Sequence, residues 1–305
     1  QMCIRDSALP DWGGRHFRLL TKPSIAIMSH QNFNSYDVGV SWWSLDHHLG
    51  IRHSQLNSAL TAYGDLRRYN TIILPSGNPD LSDYAKKMLI DWVKQGGTLI
   101  AHNNSTRTIM NMDEFGNVKH LTQTFDNSND YQIDLMREIY SKYEKIDISN
   151  LDNGVINYNL SYPWENSDTK LSKDDLEKRD KWQSLLMPSG AIVAARVDTS
   201  HWLTFGTENT MPVLYSNFPI LMTGSNSQAI LRIGELTPNE KVTENRVINW
   251  SHIPSGFDIN IKMSGLVWPE ASQRIANSAY LTREKVGKGQ IILFSGEPNF
   301  RGAAR

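Results

Sequence analysis

The feature that most constrains the fold of this chain is an amphipathic segment between two short apolar runs. Over residues 81–95, apolar side chains recur at the spacing of one helix face, and charged side chains occupy the opposite face. The apolar runs at 71–75 and 98–101 have the length of buried strands. Asp80 or Ser82 can cap the start of the helix, and Gly96 can help to close its end. A strand, a helix and a strand in close succession predict a crossover unit with parallel strands.

The preceding segment extends this pattern. Residues 24–29 form a short apolar run that is typical of a strand covered on both faces. Residues 38–49 show helical spacing and stop at Gly50, and residues 76–79 (Ser-Gly-Asn-Pro) are a strong turn signal. We therefore predict an α/β domain with a mostly parallel sheet, and we expect function at the carboxyl ends of its strands.

The remainder of the chain breaks this rhythm and then returns to strands. Residues 105–190 are polar and rich in Asn and Asp, so we predict an inserted subdomain there, with helices at 131–143 and 173–186. Beyond it, the pattern predicts added strands, a helix and a hairpin: strands at 191–197, 212–215, 220–222 and 229–233, a helix at 269–279, and a hairpin of 277–285 with 289–295. The hairpin turns at Gly287-Lys288-Gly289, and its second strand is expected to join the main sheet.

Composition excludes several classes of function. The 305 residues carry a net charge of −1, which gives no electrostatic reason to expect nucleic acid or an anionic membrane as a partner. No apolar run is long enough to span a membrane. The single cysteine, Cys3, lies in an opening (Gln-Met-Cys-Ile-Arg-Asp-Ser) that resembles a translated cloning scar. We interpret residues 1–21 as a non-native scar and linker, 22–302 as the α/β domain with its insertion, and 303–305 as a truncated end.

The strand at 98–101 runs into a turn where α/β hydrolases and amidotransferases carry their nucleophile. This turn offers His102, Asn103 and Asn104, with neither a cysteine nor a Gly-x-Ser-x-Gly elbow. Ser76 and Ser105 are nearby hydroxyls, but neither lies between the glycines of an elbow. We therefore predict no catalytic residue, and a hydrolase with an unrecognised serine nucleophile remains an alternative.

Polar residues that follow the predicted strands form a predicted ligand pocket for a peptide or a glycan. Because the carboxyl ends of parallel strands meet at one edge of a sheet, these side chains are expected to converge. The predicted pocket consists of Ser76, Gly77, His102, Asn103, Asn104, Glu297, Asn299 and Arg301.

The histidines do not form a recognisable metal motif. None of the nine is followed by Glu at the third position, and His-Glu-x-x-His is absent. His47 and His48 are adjacent, so on a helix they point in different directions. We predict no metal ligand and no cofactor in this stretch of chain.

Aromatic residues lead to two further expectations. The nine tryptophans suit large core contacts, although some could line a sugar or peptide groove. The segment 198–206, which contains His201, Trp202 and Phe205, is interpreted as a turn whose aromatic side chains pack inward, with a ligand-facing loop as the alternative.

Five segments in order resemble a known family. They are residues 35–50 (beginning Ser-Tyr-Asp-Val-Gly), 69–77, 92–100, 189–214 and 286–302. Their order is similar to the C-terminal region of large bacterial zinc carboxypeptidase-like proteins, which carry a class I glutamine amidotransferase-like domain behind the peptidase domain. The likeness spans roughly residues 22–302.

The resemblance implies a flavodoxin-like α/β sandwich and a non-catalytic accessory domain that acts in assembly or substrate presentation. It also implies an upstream peptidase domain as the partner, zinc in that domain alone, and a periplasmic or secreted location. The amidotransferases of this fold use a Cys–His–Glu triad, and the cysteine has no counterpart at the turn of Asn103. No catalytic residue can therefore be transferred.

Overall fold

The computed structural model describes residues 21–30, 32–58, 64–112, 115, 117–143 and 172–300. Within these ranges the chain forms strands β1 (Ile25–Ser29), β2 (His53–Asn57), β3 (Thr71–Leu74), β4 (Thr98–His102), β5 (Val118–His120), β6 (Ala191–Val197), β7 (Thr210–Tyr215), β8 (Leu221–Thr223), β9 (Ser227–Ile233), β10 (Glu235–Pro238), β11 (Arg246–Ile248), β12 (Ser251–Ile253), β13 (Phe257–Asn260), β14 (Lys262–Ser264), β15 (Ala279–Val286) and β16 (Gly289–Phe294). The α-helices are α1 (Ser35–Trp43), α2 (Asp83–Lys94), α3 (Ser105–Met110), α4 (Ser128–Tyr143), α5 (Lys173–Ser184) and α6 (Pro269–Ile275).

Five strands form a parallel half in the order β2-β1-β3-β4-β16. Numbered along the chain within this half, that order is 2-1-3-4-5, which is the order of a flavodoxin-like sheet. The second strand of the β15–β16 hairpin pairs with β4, as the sequence predicts. The structure therefore confirms an α/β, flavodoxin-like fold.

Helices cover both faces of the parallel half. Side chains alternate along each strand, so Ala26 and Met28 pack with Leu89 of α2 on one face. Ile27 packs with Leu45, at the end of the α1 region, on the opposite face. Strands buried on both sides explain the continuous apolar runs in the sequence.

The rest of the main sheet is antiparallel. It continues from β16 in the order β15-β9-β6-β14, with β7 beside β6 and β8 joining β15 to β5. Two small sheets, β10 with β13 and β11 with β12, pack beside it. The core here includes Tyr215, Trp250 and Ile275. These strands are the added β-strands of the predicted fold.

Two helices differ most from their predicted bounds. The first was expected at 38–49, but α1 begins at Ser35 because the Asn34 side chain accepts a hydrogen bond from the Tyr36 amide at 2.9 Å. A π-helical turn, Ser44–His48, then replaces the predicted last turns. The helix expected at 269–279 ends at Ile275, and Asn277 takes a left-handed conformation before β15.

The described part of the predicted insertion at 105–190 contributes α3, β5, α4 and α5, and β5 reaches the main sheet through β8. Most of the predicted scar, the truncated end and residues 144–171 lie outside the described residues. The domain boundaries therefore remain a prediction.

Candidate functional site

The loops after β1 and β3 are joined at the carboxyl edge of the parallel half. The Asn34 amide donates to the Ser76 carbonyl at 2.8 Å, and the Asn78 amide donates to the Asn32 carbonyl at 2.8 Å. An antiparallel bridge pairs Phe33 with Gly77 between these bonds. These contacts hold the first turn of α1 over the end of β3.

Gly77 belongs to this junction rather than to a ligand surface. A Cβ atom at Gly77 would lie 2.3 Å from the Asn32 carbonyl oxygen and 2.8 Å from the Phe33 Cα. Because both contacts are with backbone atoms, a larger residue would push the two loops apart. Gly77 therefore permits the close approach that positions α1.

Asp37, in the first turn of α1, lies beside Glu297 and Ser76. Burial is the main cause that raises the pKa of the Asp37 carboxyl to about 7; the hydrogen bond and the negative charge of Glu297 add to it, and the Ser76 hydroxyl opposes it. The Oδ2 atom of Asp37 is buried and has no hydrogen-bond partner among the described residues. Asp37 therefore keeps its proton to a higher pH than an ordinary aspartate does.

Glu297 follows the last strand of the parallel half and completes this group. Its Oε1 atom accepts a hydrogen bond from the Asn103 Nδ2 at 3.2 Å. We call Asp37, Ser76, Asn103 and Glu297 the strand-end cluster. It brings together residues that follow β1, β3, β4 and β16 in the chain, as the topology of a parallel sheet requires.

Asn103 occupies the turn between β4 and α3, where hydrolases of related architecture place a nucleophile. Its φ angle is +45°, in the left-handed region that asparagine tolerates. The backbone N–H of Asn103 donates to the Phe294 carbonyl at 2.9 Å. The turn thus has strand–turn–helix geometry, but the side chain at its apex is an amide.

His102 lies just before this turn and is only 6% exposed. The registers pair Ile27 with Ile73, Ile73 with Ile100 and Ile100 with Ile292, so all four lie on the face that α1 covers. His102, two residues after Ile100, shares that face. Its ring meets the Phe294 ring edge to face, with the ring centroids 5.4 Å apart. Burial lowers the pKa of the imidazole to about 4, so His102 is neutral at physiological pH.

The other predicted pocket residues are distributed around the cluster. Asn104 is half-buried at the start of α3, and its side chain makes no capping hydrogen bond. Asn299 is half-buried after Glu297. Arg301 lies outside the described residues.

The two predicted serine candidates differ in their surroundings. Ser105 is fully buried, and its hydroxyl donates to the Pro75 carbonyl at 2.5 Å. This hydrogen bond joins the start of α3 to the loop after β3. Ser76 is also buried, and its hydroxyl interacts with the Asp37 carboxyl.

The structure corrects two expectations about aromatic side chains. Trp202 and Phe205 face outward, with exposed fractions of 59% and 93%. The reason is the one-turn helix after β6, which points Thr204 inward, where its hydroxyl donates to the carbonyls of Asp198 and His201. Tryptophans are also mostly at the surface: of the seven in the described ranges, five are exposed, namely Trp42, Trp43, Trp182, Trp202 and Trp268.

Two adjacent histidines lie in the π-helical turn that follows α1. His47 and His48 are exposed, and His47 stacks on Trp43 with ring centroids 4.1 Å apart. Within the described ranges, no group of three or more His, Cys, Asp or Glu side chains is placed to hold a metal ion. The described helices also include none with the length and apolar character needed to cross a bilayer.

Sequence reasoning missed Asp37, although it placed Glu297 and Asn103 in one pocket. The helix was expected to begin at Val38, so Asp37 was assigned to the preceding loop. Two features of the sequence indicate this position for Asp37. Asn34 is a favourable N-cap residue, so a helix can begin just after it. An acid in the first turn of a helix that follows a buried strand lies at the carboxyl edge of a parallel sheet.

Comparison with known proteins adds little to this geometry. No protein-family model matches the sequence, and no curated protein matches it. Similar solved structures include a putative ThuA-like protein from Parabacteroides merdae (11% identity, TM-score 0.45, covering 90% of this chain and 79% of that one). A second putative ThuA-like protein, from Bacteroides uniformis, has 10% identity and a TM-score of 0.41, covering 95% of this chain and 90% of that one.

A β-galactosidase from Bacillus circulans sp. alkalophilus is similar at 10% identity and a TM-score of 0.41; the match covers 90% of this chain, which spans 29% of the length of that enzyme. These likenesses are too weak to carry any functional argument. The fold assignment rests on the order of the parallel strands.

Proposed function

We propose that this domain is a non-catalytic binding module that holds a hydroxyl-rich ligand, such as a glycan, at the strand-end cluster. The observation that carries the proposal is the contact between two carboxyl groups, Asp37 and Glu297, at the carboxyl edge of the parallel sheet. Like charges in contact oppose folding, and groups with strongly shifted pKa values concentrate at functional sites.

The chemistry of the pair favours hydroxyl groups. When Asp37 keeps its proton, its carboxyl group is a donor beside the acceptor oxygens of Glu297, and the Asn103 side-chain amide adds a further donor. A sugar hydroxyl both donates and accepts, so neighbouring hydroxyls complement this arrangement. The unpartnered Oδ2 atom of Asp37 supplies one position at which a ligand gains a hydrogen bond.

The absence of a nucleophile at the apex of the turn supports a non-catalytic function. An asparagine amide is a much weaker nucleophile than an activated hydroxyl or a thiolate, and the Ser105 hydroxyl donates to the Pro75 carbonyl inside the core. Two carboxyl groups can serve as a general acid and a general base, so a test must follow turnover as well as binding.

An accessory position behind a zinc carboxypeptidase-like domain, with zinc held only by that domain, extends this proposal. It is supported by the ordered sequence segments alone, and it predicts assembly or substrate presentation as the context of binding. A periplasmic or secreted location depends on the same resemblance.

The proposal can be tested by titration calorimetry with defined hexasaccharides of glucose, mannose, xylose and N-acetylglucosamine. We expect one of them to bind, and we expect Asp37→Asn and Glu297→Gln each to weaken binding by about tenfold, equivalent to about 1.4 kcal/mol. Asp46→Asn, an exposed acid in the following helical turn, is the matched control and should leave affinity unchanged.

The same samples should release no reducing ends. Binding that is insensitive to Asp37→Asn and Glu297→Gln would place the ligand elsewhere. Turnover that Glu297→Gln abolishes would replace the binding module with an acid–base enzyme.

A further inference from the structure

A cavity lies between α5 and α6, and none of its lining residues belongs to the strand-end cluster. Its volume is about 420 Å³, within the range of pockets that hold small ligands. Trp182 lines it while remaining 59% exposed, so the flat indole ring forms part of an accessible wall. We call this cavity the α5–α6 groove.

The groove has a fixed frame. Arg274 of α6 and Asp180 of α5 form a buried bidentate ion pair. The Nε–Oδ1 distance is 2.7 Å and the Nη2–Oδ2 distance is 3.2 Å. A third wall comes from residues 247–249, where Asn249 is buried and has a φ angle of +49°. Because the paired helices are locked together, the groove does not need to be assembled by its ligand.

Its polar lining is balanced in charge. Arg179 and Glu270 contribute one positive and one negative charge. The remaining polar groups are the neutral amides of Gln183, Asn249 and Gln273. A lining of this kind offers donors and acceptors without selecting for a charged ligand.

One of these amides is incompletely satisfied. Gln183 is 2% exposed, its Nε2 atom contacts the Gln273 Oε1 at 3.4 Å, and its Oε1 atom is buried with no partner among the described residues. If the amide is turned over, its nitrogen is left without a partner instead. A hydroxyl group satisfies either orientation because it both donates and accepts.

We propose that the α5–α6 groove is a second binding site, for a neutral sugar ring. The apolar C–H face of the ring lies on Trp182, and its hydroxyl groups bond to Gln183, Gln273, Asn249, Arg179 and Glu270. This site shares no residue with the strand-end cluster, and it stands whether or not that cluster binds a ligand.

The test uses the same hexasaccharides, titrated into the domain at up to about 1 mM, the weak end of specific recognition. We expect Trp182→Ala to weaken the binding of at least one of them by about tenfold and Glu270→Gln to weaken it to a smaller extent. Trp202→Ala is the matched control because Trp202 is also 59% exposed but does not line this groove. Thermal melts check that each variant is folded.

The variants Asp37→Asn and Glu297→Gln separate this site from the strand-end cluster. Binding that survives both but is lost in Trp182→Ala supports the groove even where the proposed function fails. The proposal of a sugar site in the α5–α6 groove is overturned by any of three results. These are that no hexasaccharide binds, that Trp182→Ala and Trp202→Ala have equal effects, or that only the Asp37 and Glu297 variants reduce affinity.

Discussion

Two ion pairs beside the antiparallel half of the sheet contrast with a pair of acids at the edge of the parallel half. In the antiparallel half, Arg274 is paired with Asp180, and Arg232 donates to Glu138 at 2.8 Å. In the parallel half, Asp37 and Glu297 place two acids together. A buried cation beside an acid is explained by the need to satisfy both groups, whereas two adjacent acids oppose folding. The difference indicates that the antiparallel charges are structural and that the parallel pair is kept for another purpose.

Removal of the Asp180 charge is expected to have the largest effect on the free energy of unfolding. Asp180→Asn leaves the Arg274 guanidinium buried without its anion, so the free energy of unfolding should fall by about 3–5 kcal/mol. Urea unfolding at pH 7 measures this change. Asp126→Asn, which breaks an exposed pair with Lys173, is the control and should have a far smaller effect. Similar losses from both variants would remove the distinction between buried and exposed charges.

The sequence predicts most of the elements that build this comparison. Hydrophobic spacing places α2, β4 and the β15–β16 hairpin within a few residues, because these elements bury one face or both and carry clear turn signals. It also predicts that Asn103 and Glu297 converge, since parallel strands end at one edge. It does not show that Arg274 meets Asp180 or that Asp37 meets Glu297. These contacts depend on packing between segments more than 90 residues apart.

Acidification should reveal the neutral state of His102. The pKa of His102 in the folded state is about 4, below the ordinary value of 6.5 for histidine, so the unfolded chain binds more protons between these values. Stability is therefore lost as pH falls through this window, by up to about 3 kcal/mol from His102 alone. In His102→Gln, unfolding curves measured from pH 7 to pH 4 should show a smaller acid loss than in the wild type.

The exposed His47→Gln is the control for the loss of an imidazole as such. Parallel pH profiles for wild type and His102→Gln would mean that His102 is accessible to protons in the folded state. That result would also remove His102 from the buried face beneath α1.

The junction that positions Asp37 should be sensitive to one methyl group. Gly77→Ala puts a Cβ against the backbone of Asn32 and Phe33, so we expect a loss of about 1–3 kcal/mol in unfolding free energy. Ligand affinity at the strand-end cluster should fall with it, because Asp37 moves away from Ser76. Gly39→Ala is the matched control: a Cβ there meets no atom within 4 Å, and alanine in α1 should stabilise the protein by about 0.5–1 kcal/mol. Equal stability of both variants would show that the loops are not held in close contact.

Asp37→Asn should have the smallest effect on the free energy of unfolding. At high pH it should stabilise the protein, whereas Asp180→Asn destabilises it. The pKa of Asp37 is raised from 3.8 to about 7, so the folded state binds more protons in this window and loses stability as pH rises through it. Asp37→Asn removes the titration, and the variant should gain stability relative to wild type on going from pH 4 to pH 8. Because Asp37 is only half-buried, solvent screening limits the gain to about 1 kcal/mol. Unfolding at both pH values, with Asp46→Asn as the control, measures it. A carboxylate whose removal destabilises the protein equally at pH 4 and pH 8 would be structural, and the parallel half would then treat charge as the antiparallel half does.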